Sequence, residues 1–191
     1  MLFINHPGSR GLRMRRLGPV DAMRSWHGIV HFGAIIFAAG CTSSADWSAC
    51  IEDVQESLDR WHTAASSADE KTYLELFAPD GVFLGTAEEE RWEERDWREF
   101  VHTYFSQGRG WTYRPHDRHV SIASDRKLAW FDERLTHDKY GELRGTGLLR
   151  KDGAQWKIVQ YNLTFPVPNE ITPEVVRLIR EFQGMRSGPE D

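Results

Sequence analysis

Hydrophobic residues recur at helical spacing in the stretch that follows residue 47. Apolar side chains lie three or four positions apart there: Cys50, Val54, Leu58, Trp61 and Ala65. This spacing predicts an amphipathic helix with one buried stripe, beginning at about Ser48. Ser67 and Glu70 have the spacing of a capping box, which predicts that a short second helix begins here and carries Tyr73, Leu74 and Phe77.

A turn, a short strand and a charged segment are predicted next. Pro79-Asp80-Gly81 favours a turn, and Val82-Phe83-Leu84 favours a strand. The acidic residues 88–95 predict a solvated loop and a first helical turn, where negative charge suits the helix dipole. Trp92 within this run is an alternative candidate for a lid over a pocket. A third helix then carries five apolar residues and ends at 108–110: Trp97, Phe100, Val101, Tyr104 and Phe105.

After Gly110 the hydrophobic period changes from helical spacing to two. Four segments rich in β-branched and aromatic residues are separated by polar turns: 111–124, 127–136, 143–150 and 155–165. They predict four long antiparallel strands. Thr172-Pro173 predicts the start of a C-terminal helix that ends at Gly184. The expected fold class is therefore α+β, with a curved antiparallel sheet wrapped around N-terminal helices and a C-terminal helix.

The first forty residues have the pattern of an export signal. Five arginines precede an apolar stretch at 28–40, which is shorter than the roughly 20 residues of a membrane-spanning helix. Residues 38–41, Ala-Ala-Gly-Cys, resemble the lipobox of bacterial lipoproteins, which predicts lipidation of Cys41 and an exported domain anchored to the cell envelope, facing the periplasm. The alternatives are an ordinary signal peptide, an uncleaved N-terminus, and a start at Met23. Residues 41–48 would form a polar tether.

Charge and cysteine content exclude several classes of protein. The formal net charge is −5, and removal of residues 1–40 leaves 19 basic and 28 acidic residues, which argues against nucleic-acid binding. The acidic charge also argues against membrane attachment through a basic surface patch, so the lipid is the expected attachment. Two cysteines do not make a disulfide scaffold: Cys50 is predicted to be a small buried residue, with a Cys41–Cys50 disulfide as the alternative. The sequence has no phosphate-binding loop and predicts no metal and no cofactor.

The region 49–168 resembles the SnoaL-like, nuclear transport factor 2-like superfamily. The resemblance lies in the order of helices and strands and in three segments: 77–86, 129–133 and 152–162. It implies a cone-shaped domain with a pocket inside the cone. The expected organisation is a signal peptide at 1–40, a tether at 41–48, the domain at 49–168, and a C-terminal helix and tail at 169–191.

Candidate pocket residues follow from strand alternation and from this resemblance. On the last strand Gln160 and Asn162 share a face with Trp156, and in the family this face points into the cone. Typical members have histidine at the positions of Gln160 and Asn162. On the predicted strand 127–136, the resemblance places Phe131 and Glu133 inside the cone and Trp130 on the convex face of the sheet. Trp111 and Tyr113 alternate at the start of the first long strand and are candidates to stack on a flat ligand, with core packing as the alternative.

Glu133 is the candidate catalytic residue. A carboxylate in an apolar pocket has a raised pKa, which suits a general acid or base. The alternatives are an ion pair with Arg144 or Arg150 on a neighbouring strand and hydrogen bonds to the pocket amides. A metal site at His116, Asp117 and His119 is disfavoured, because His116 and His119 would face opposite sides of a regular strand.

Three functions are consistent with these residues. The first is a lipoprotein that binds a small, largely apolar ligand through Trp111, Tyr113, Phe131, Gln160 and Asn162. The second is an enzyme of the isomerase, cyclase or hydrolase kind that uses Glu133. The third is an interaction module that forms a homodimer through the convex face of the sheet.

Overall fold

The computed structural model describes residues 44–186, so the predicted signal peptide, the lipobox and Cys41 lie outside the described residues. The elements follow in this order: α1 Ser44–Ser67, α2 Glu70–Glu75, β1 Phe77–Leu84, β2 Arg91–Glu93, α3 Glu94–Phe105, β3 Arg114–Ile122, β4 Leu128–His137, β5 Gly141–Asp152, β6 Gln155–Thr164, a 3₁₀ turn Asn169–Ile171 and α4 Thr172–Arg186. The expected α+β class is confirmed. No helix in this range is long and apolar enough to cross a membrane.

The predicted helices are present; α4 begins at Thr172 as predicted, whereas α1 and α2 begin at other residues than expected. The apolar stripe of α1 is buried, Cys50 included, but α1 begins at Ser44, so residues 44–48 of the predicted tether are helical. The predicted capping box is wrong. Ser67 ends α1 and donates a hydrogen bond back to the carbonyl of Thr63, while the carboxylate of Asp69 accepts from the backbone N–H of Thr72 and caps α2. The N-cap of α2 is therefore Asp69, two residues after the expected Ser67.

The strands form one six-stranded sheet in the order β2-β1-β6-β5-β4-β3. Neighbours pair antiparallel except β1 and β6, which are parallel. Two features were not predicted: β1 already begins at Phe77, before the expected turn, and β2 lies inside the acidic run. The helices α1 and α3 pack on the concave face of the sheet.

The two ends of the sheet have different neighbours. The turn between β3 and β4 contacts the start of α1, where the guanidinium of Arg126 lies 4.8 Å from the ring centre of Trp47 and 4.0 Å from the carboxylate of Asp46. We call this the proximal end. The opposite end, where β3 begins and β4 ends, carries Tyr113, His137 and Tyr140. We call these three residues, together with Glu90, whose charge acts on Tyr113, the distal cluster.

Two β-bulges decide which side chains enter the cone. In β6, Ile158 pairs with Leu149 and Gln160 with Leu148, so Val159 is an extra residue. In β3, Asp117 and Arg118 both lie between the pairs His116–Arg134 and His119–Asp132, and Asp117 has a φ of 45°. A bulge adds one residue to one strand and shifts the in-out alternation that follows it.

Candidate functional site

The bulge at Val159 turns the predicted pocket amides away from the cone. Gln160 is exposed and Asn162 shares its outer face, while Tyr161 and Leu163 are buried inside. The expectation that Gln160 and Asn162 line the pocket is therefore wrong, because it assumed an unbroken alternation from Trp156. Tyr161 enters the cone instead.

Glu133 lies inside the cone as predicted, with none of its side chain exposed. It makes no ion pair with Arg144 or Arg150 and no bond to the amides. Its partners come from three elements: Oε1 accepts from Tyr161 Oη at 3.0 Å and lies 2.7 Å from His62 Nε2, and Oε2 accepts from Arg118 Nε at 2.7 Å. Arg118 also donates to the carboxylate of Asp59 at 2.8 Å. Charge-assisted bonds of this length are strong, so the carboxylate is held in place.

A glycine makes room for this arrangement. A Cβ atom at Gly145 would lie 2.3 Å from Tyr161 Oη and 3.0 Å from Glu133 Oε1. The phenol reaches Glu133 only because residue 145 on β5, between the two strands that carry them, has no side chain. Gly145 was the sequence signal for this close approach, and sequence reasoning missed it.

The pairing of Glu133 overrides the effect of burial on its pKa. Burial alone would raise this pKa, but hydrogen bonding to His62 and the positive charge of Arg118 hold it below its ordinary value. The expected raised pKa is therefore wrong. Burial and the charge of Glu133 raise the pKa of Tyr161 well above its ordinary range, so Tyr161 stays protonated and donates. Glu133 stays ionised at neutral pH and is poorly suited to proton transfer.

Aromatic rings fill the concave side of the sheet next to Glu133. Trp61 lies 4.6 Å from Tyr161 and 4.8 Å from Tyr73 between ring centres, and Phe83 stacks on Trp97 at 4.0 Å. A chamber lined by residues 133, 160 and 162 is therefore not present. Two open surface depressions of about 490 and 260 Å³ lie elsewhere, the larger between α2, β1 and α3 beside Leu74 and Phe77, and the smaller along α1 and α2.

The other predicted site residues lie in three different places. Phe131 is inside and buried, 5.9 Å from the ring centre of Tyr161. Trp111 and Tyr113 precede β3 rather than begin it. Trp111 packs in the core, 4.6 Å from Phe105 between ring centres, whereas Tyr113 belongs to the distal cluster. Trp92 lies on β2, and its ring centre is 5.1 Å from that of Phe100 on α3.

The histidines of β3 face the same side, because the bulge at Asp117 separates them. His116 Nε2 lies 3.4 Å from the carboxylate of Glu142, and His119 Nδ1 lies 3.5 Å from that of Asp132. The expectation that they face opposite sides is wrong. Among residues 44–186 no three His, Cys, Asp or Glu side chains meet in a group that would hold a metal ion.

Glu90 is a buried acid that sequence reasoning assigned to solvent. Only 4% of this residue is exposed, although its neighbours Glu88 and Glu89 belong to the same run. Its Oε2 accepts from the backbone N–H of Ala87 at 3.1 Å, while Oε1 is buried and has no hydrogen-bond partner within the described range. Burial raises its pKa, and its negative charge, added to burial, raises the pKa of Tyr113 to about 12.

The aromatic side chains of the distal cluster contact one another. His137 lies 5.1 Å from Tyr113 and 4.7 Å from Tyr140 between ring centres. The backbone N–H groups of Lys139 and Tyr140 donate to Nδ1 of His137, and burial lowers its pKa, so the ring is neutral with its proton on Nε2. The hydroxyl of Tyr140 is buried without a partner among residues 44–186.

Comparison with known proteins identifies the family. A family model described as a SnoaL-like domain matches residues 54–168. Among solved structures, a nuclear transport factor 2-like protein of unknown function from Pseudomonas putida is 17% identical, with a TM-score of 0.53 over 64% of this chain and 91% of that one. A candidate scytalone dehydratase from Novosphingobium aromaticivorans is 10% identical, with a TM-score of 0.55 over 65% and 89%.

A protein of unknown function from Mycobacterium tuberculosis is 17% identical, with a TM-score of 0.54 over 70% of this chain and 82% of that one. Identities this low establish the cone-shaped fold alone. No curated protein matches the chain. Because the family model covers more than half of the sequence, the chain belongs to the SnoaL-like domain family.

Proposed function

We propose that this chain is an exported, lipid-anchored SnoaL-like domain that binds a small, largely apolar ligand at the distal cluster. The observation that carries the proposal is the buried Oε1 of Glu90, which has no hydrogen-bond partner in the described part of the chain. A buried polar atom without a partner costs about 1–3 kcal/mol, and a ligand can supply that partner. The rings of Tyr113, His137 and Tyr140, which contact one another, offer apolar surface for a flat molecule.

The same geometry argues against the enzymatic alternative built on Glu133. Its carboxylate is ionised, fully buried and bound to His62, Arg118 and Tyr161. These contacts favour a structural role in fixing α1 on the sheet. The name of the scytalone dehydratase-like neighbour does not support an enzymatic role for Glu133, because a similar fold does not imply the same reaction.

A ligand screen tests the proposal. The full chain is mixed with a library of small aromatic and alicyclic compounds, and binding is followed by thermal shift and native mass spectrometry. We expect hits that raise the melting temperature of the protein, and Tyr113→Ala should abolish their effect. Trp130→Ala, an aromatic change on the convex face, is the matched control and should leave binding intact. A screen without any hit would contradict the proposal.

The anchor is tested separately with the two cysteines. Cells expressing the full chain are labelled with radioactive palmitate and separated into membrane and soluble fractions. Cys41→Ser should remove the label and release the protein from the membrane fraction, while Cys50→Ser, at a buried position of α1, should keep both. Unchanged labelling of Cys41→Ser would overturn the anchor.

Self-association through the convex face is a second candidate, and Trp130 favours it. This side chain is 50% exposed on β4, the second strand from one edge of the sheet, and Leu128 on the same strand and face is 39% exposed. Large apolar side chains exposed on a sheet face are common at protein interfaces. Sedimentation velocity should detect a dimer that Trp130→Lys dissociates and Leu178→Lys, on α4, does not. A monomer at all concentrations would exclude this candidate.

A further inference from the structure

Basic side chains lie side by side at the proximal end of the sheet. Leu128, Arg150 and Lys157 pair with one another across β4, β5 and β6, so they form one row at the end where β4 begins. Just beyond this row, the backbone N–H of Lys151 donates to the carbonyl of Lys127 at 2.9 Å. We call Lys127, Arg150, Lys151 and Lys157 the cationic patch.

Two lysines of the cationic patch have no acidic partner. Arg150 and Lys157 pair with nearby aspartates at 2.7 and 3.8 Å. Lys127 and Lys151 make no ion pair with any other side chain in the described part of the chain, and the ammonium of Lys151 lies 5.5 Å from the ring centre of Trp156. The charges of these two lysines are therefore available to an anionic partner.

The larger surface depression opens beside the same row, because Lys157 lines it. It measures about 490 Å³, and its floor includes Leu74 and Phe77, which are only 8% and 3% exposed. The charged residues that line it are three cations and two acids: Lys71, Arg98, Lys157, Glu70 and Glu75. An apolar floor beside ammonium and guanidinium groups suits a molecule that joins a phosphate to hydrocarbon.

The loop that follows β1 carries the opposite charge at the other end of the domain. Strands β1, β6 and β4 run in the same direction, so β1 ends on the distal side, where β4 also ends. The loop after β1 exposes Glu88 and Glu89. An anionic surface would therefore attract the proximal end and repel this loop.

We infer that the proximal end is a docking surface for anionic phospholipid headgroups, with the cationic patch on the bilayer and one phosphate in the depression beside Lys157. This inference rests on the proposed lipid anchor, since Cys41 precedes α1 by three residues and α1 begins at the proximal end. The net negative charge of the chain argues against the patch as the only attachment. The lipid would hold the domain within the roughly 8 Å over which surface charges act, and the patch would orient it.

Vesicle reconstitution tests the inference. The lipidated protein is purified from membranes and reconstituted into vesicles of phosphatidylcholine alone or of equal parts phosphatidylcholine and phosphatidylglycerol. Lysines are acetylated with a limiting amine reagent, and the rate at each position is measured by peptide mass spectrometry. We expect Lys127, Lys151 and Lys157 to react about fivefold more slowly in the anionic vesicles. Lys139, in the distal turn between β4 and β5, should react at the same rate in both.

Variants locate the effect in the cationic patch. Lys127→Gln combined with Lys151→Gln removes the two unpaired charges, so the slowing at Lys157 should fall below about twofold. Lys139→Gln removes a distal charge and is the matched control, which should keep the slowing at Lys157. Circular dichroism verifies folding. If the double variant does not fold, Lys127→Gln alone, at an exposed position, should still reduce the slowing at Lys157.

The outcomes separate this inference from the anchor. Equal rates in the two kinds of vesicle, with the protein reconstituted, would overturn the docking surface and leave the anchor standing. Slowing at Lys139 as strong as at Lys157, or unchanged slowing at Lys157 in the double variant, would also overturn it. A protein that carries no lipid and does not enter the vesicles would overturn the anchor and this inference together.

Discussion

Burial raises the pKa of a carboxylate and pairing with a cation lowers it, and the balance differs between the two buried carboxylates, Glu133 and Glu90. Glu133 has a cation, a phenol and an imidazole as partners, and its pKa is lowered. Glu90 is buried with one oxygen unpartnered, and its pKa is raised. At the level of single residues, the first therefore stabilises the fold as an anion, while the second costs stability that a ligand can recover.

Glu133→Gln is expected to destabilise the protein by about 3 kcal/mol, because Arg118 would keep its charge in a site where its side chain is only 10% exposed. Urea denaturation at pH 7 measures this change. Glu142→Gln, at the surface, is the control and should change the free energy of unfolding by less than about 0.5 kcal/mol. Because the pKa of Glu133 is lowered in the fold, its contribution is present above the ordinary glutamate pKa. The deficit of the variant should shrink as pH falls through the lowered pKa.

In the absence of ligand, Glu90→Gln is expected to stabilise the protein, whereas Glu133→Gln destabilises it. The Glu90 variant removes a buried charge and should raise the free energy of unfolding at pH 7 by about 1 kcal/mol, with Glu89→Gln as the neutral control. Since the pKa of Glu90 is raised in the fold, protonation favours the folded state. The advantage of the variant should therefore fade as pH falls through the raised pKa. A loss of stability in Glu90→Gln at pH 7 would contradict the assignment.

At the level of elements, the helices were predictable and the bulges were not. The stripes of α1 and α3 repeat a helical period over many residues, so errors at single positions average out. Strand faces depend on counting by two, and one extra residue at Val159 reverses every later side chain. This is why Glu133, on a strand that has no extra residue, was correctly predicted to point inward, while Gln160 and Asn162 were assigned to the wrong face. Nothing in the local sequence around Val159 marks the bulge.

The bulge in β3 allows a direct test at Asp117. Its φ of 45° lies in the left-handed region, which Asp and Gly tolerate and β-branched residues do not. Asp117→Val should lower the free energy of unfolding by about 1–2 kcal/mol, while Asp117→Gly should be close to neutral. Urea denaturation of both variants checks this. Equal stability of the two variants would mean that the bulge is not strained by residue 117.

For the whole molecule, the C-terminal helix is an addition to the cone rather than part of it. Leu178 and Ile179 are half exposed, and Met185 is 74% exposed. The matched family region ends at residue 168, before this helix. Deletion of residues 172–191 should therefore leave the free energy of unfolding of the domain within about 0.5 kcal/mol of the full chain. A loss of several kcal/mol would assign the helix to the core.

The positions of α1 and the distal cluster also bear on how a ligand would arrive. Arg126 fixes the first turn of α1 to the proximal end, and Cys41 precedes α1 by three residues. The ten residues of β4 separate this end from the distal cluster by roughly 30 Å. Under the proposed lipidation of Cys41, the proximal end would lie at the bilayer and the rings of Tyr113, His137 and Tyr140 would face the aqueous side. Compounds dissolved in the periplasm would then have direct access, whereas molecules diffusing laterally within the leaflet would first have to leave it.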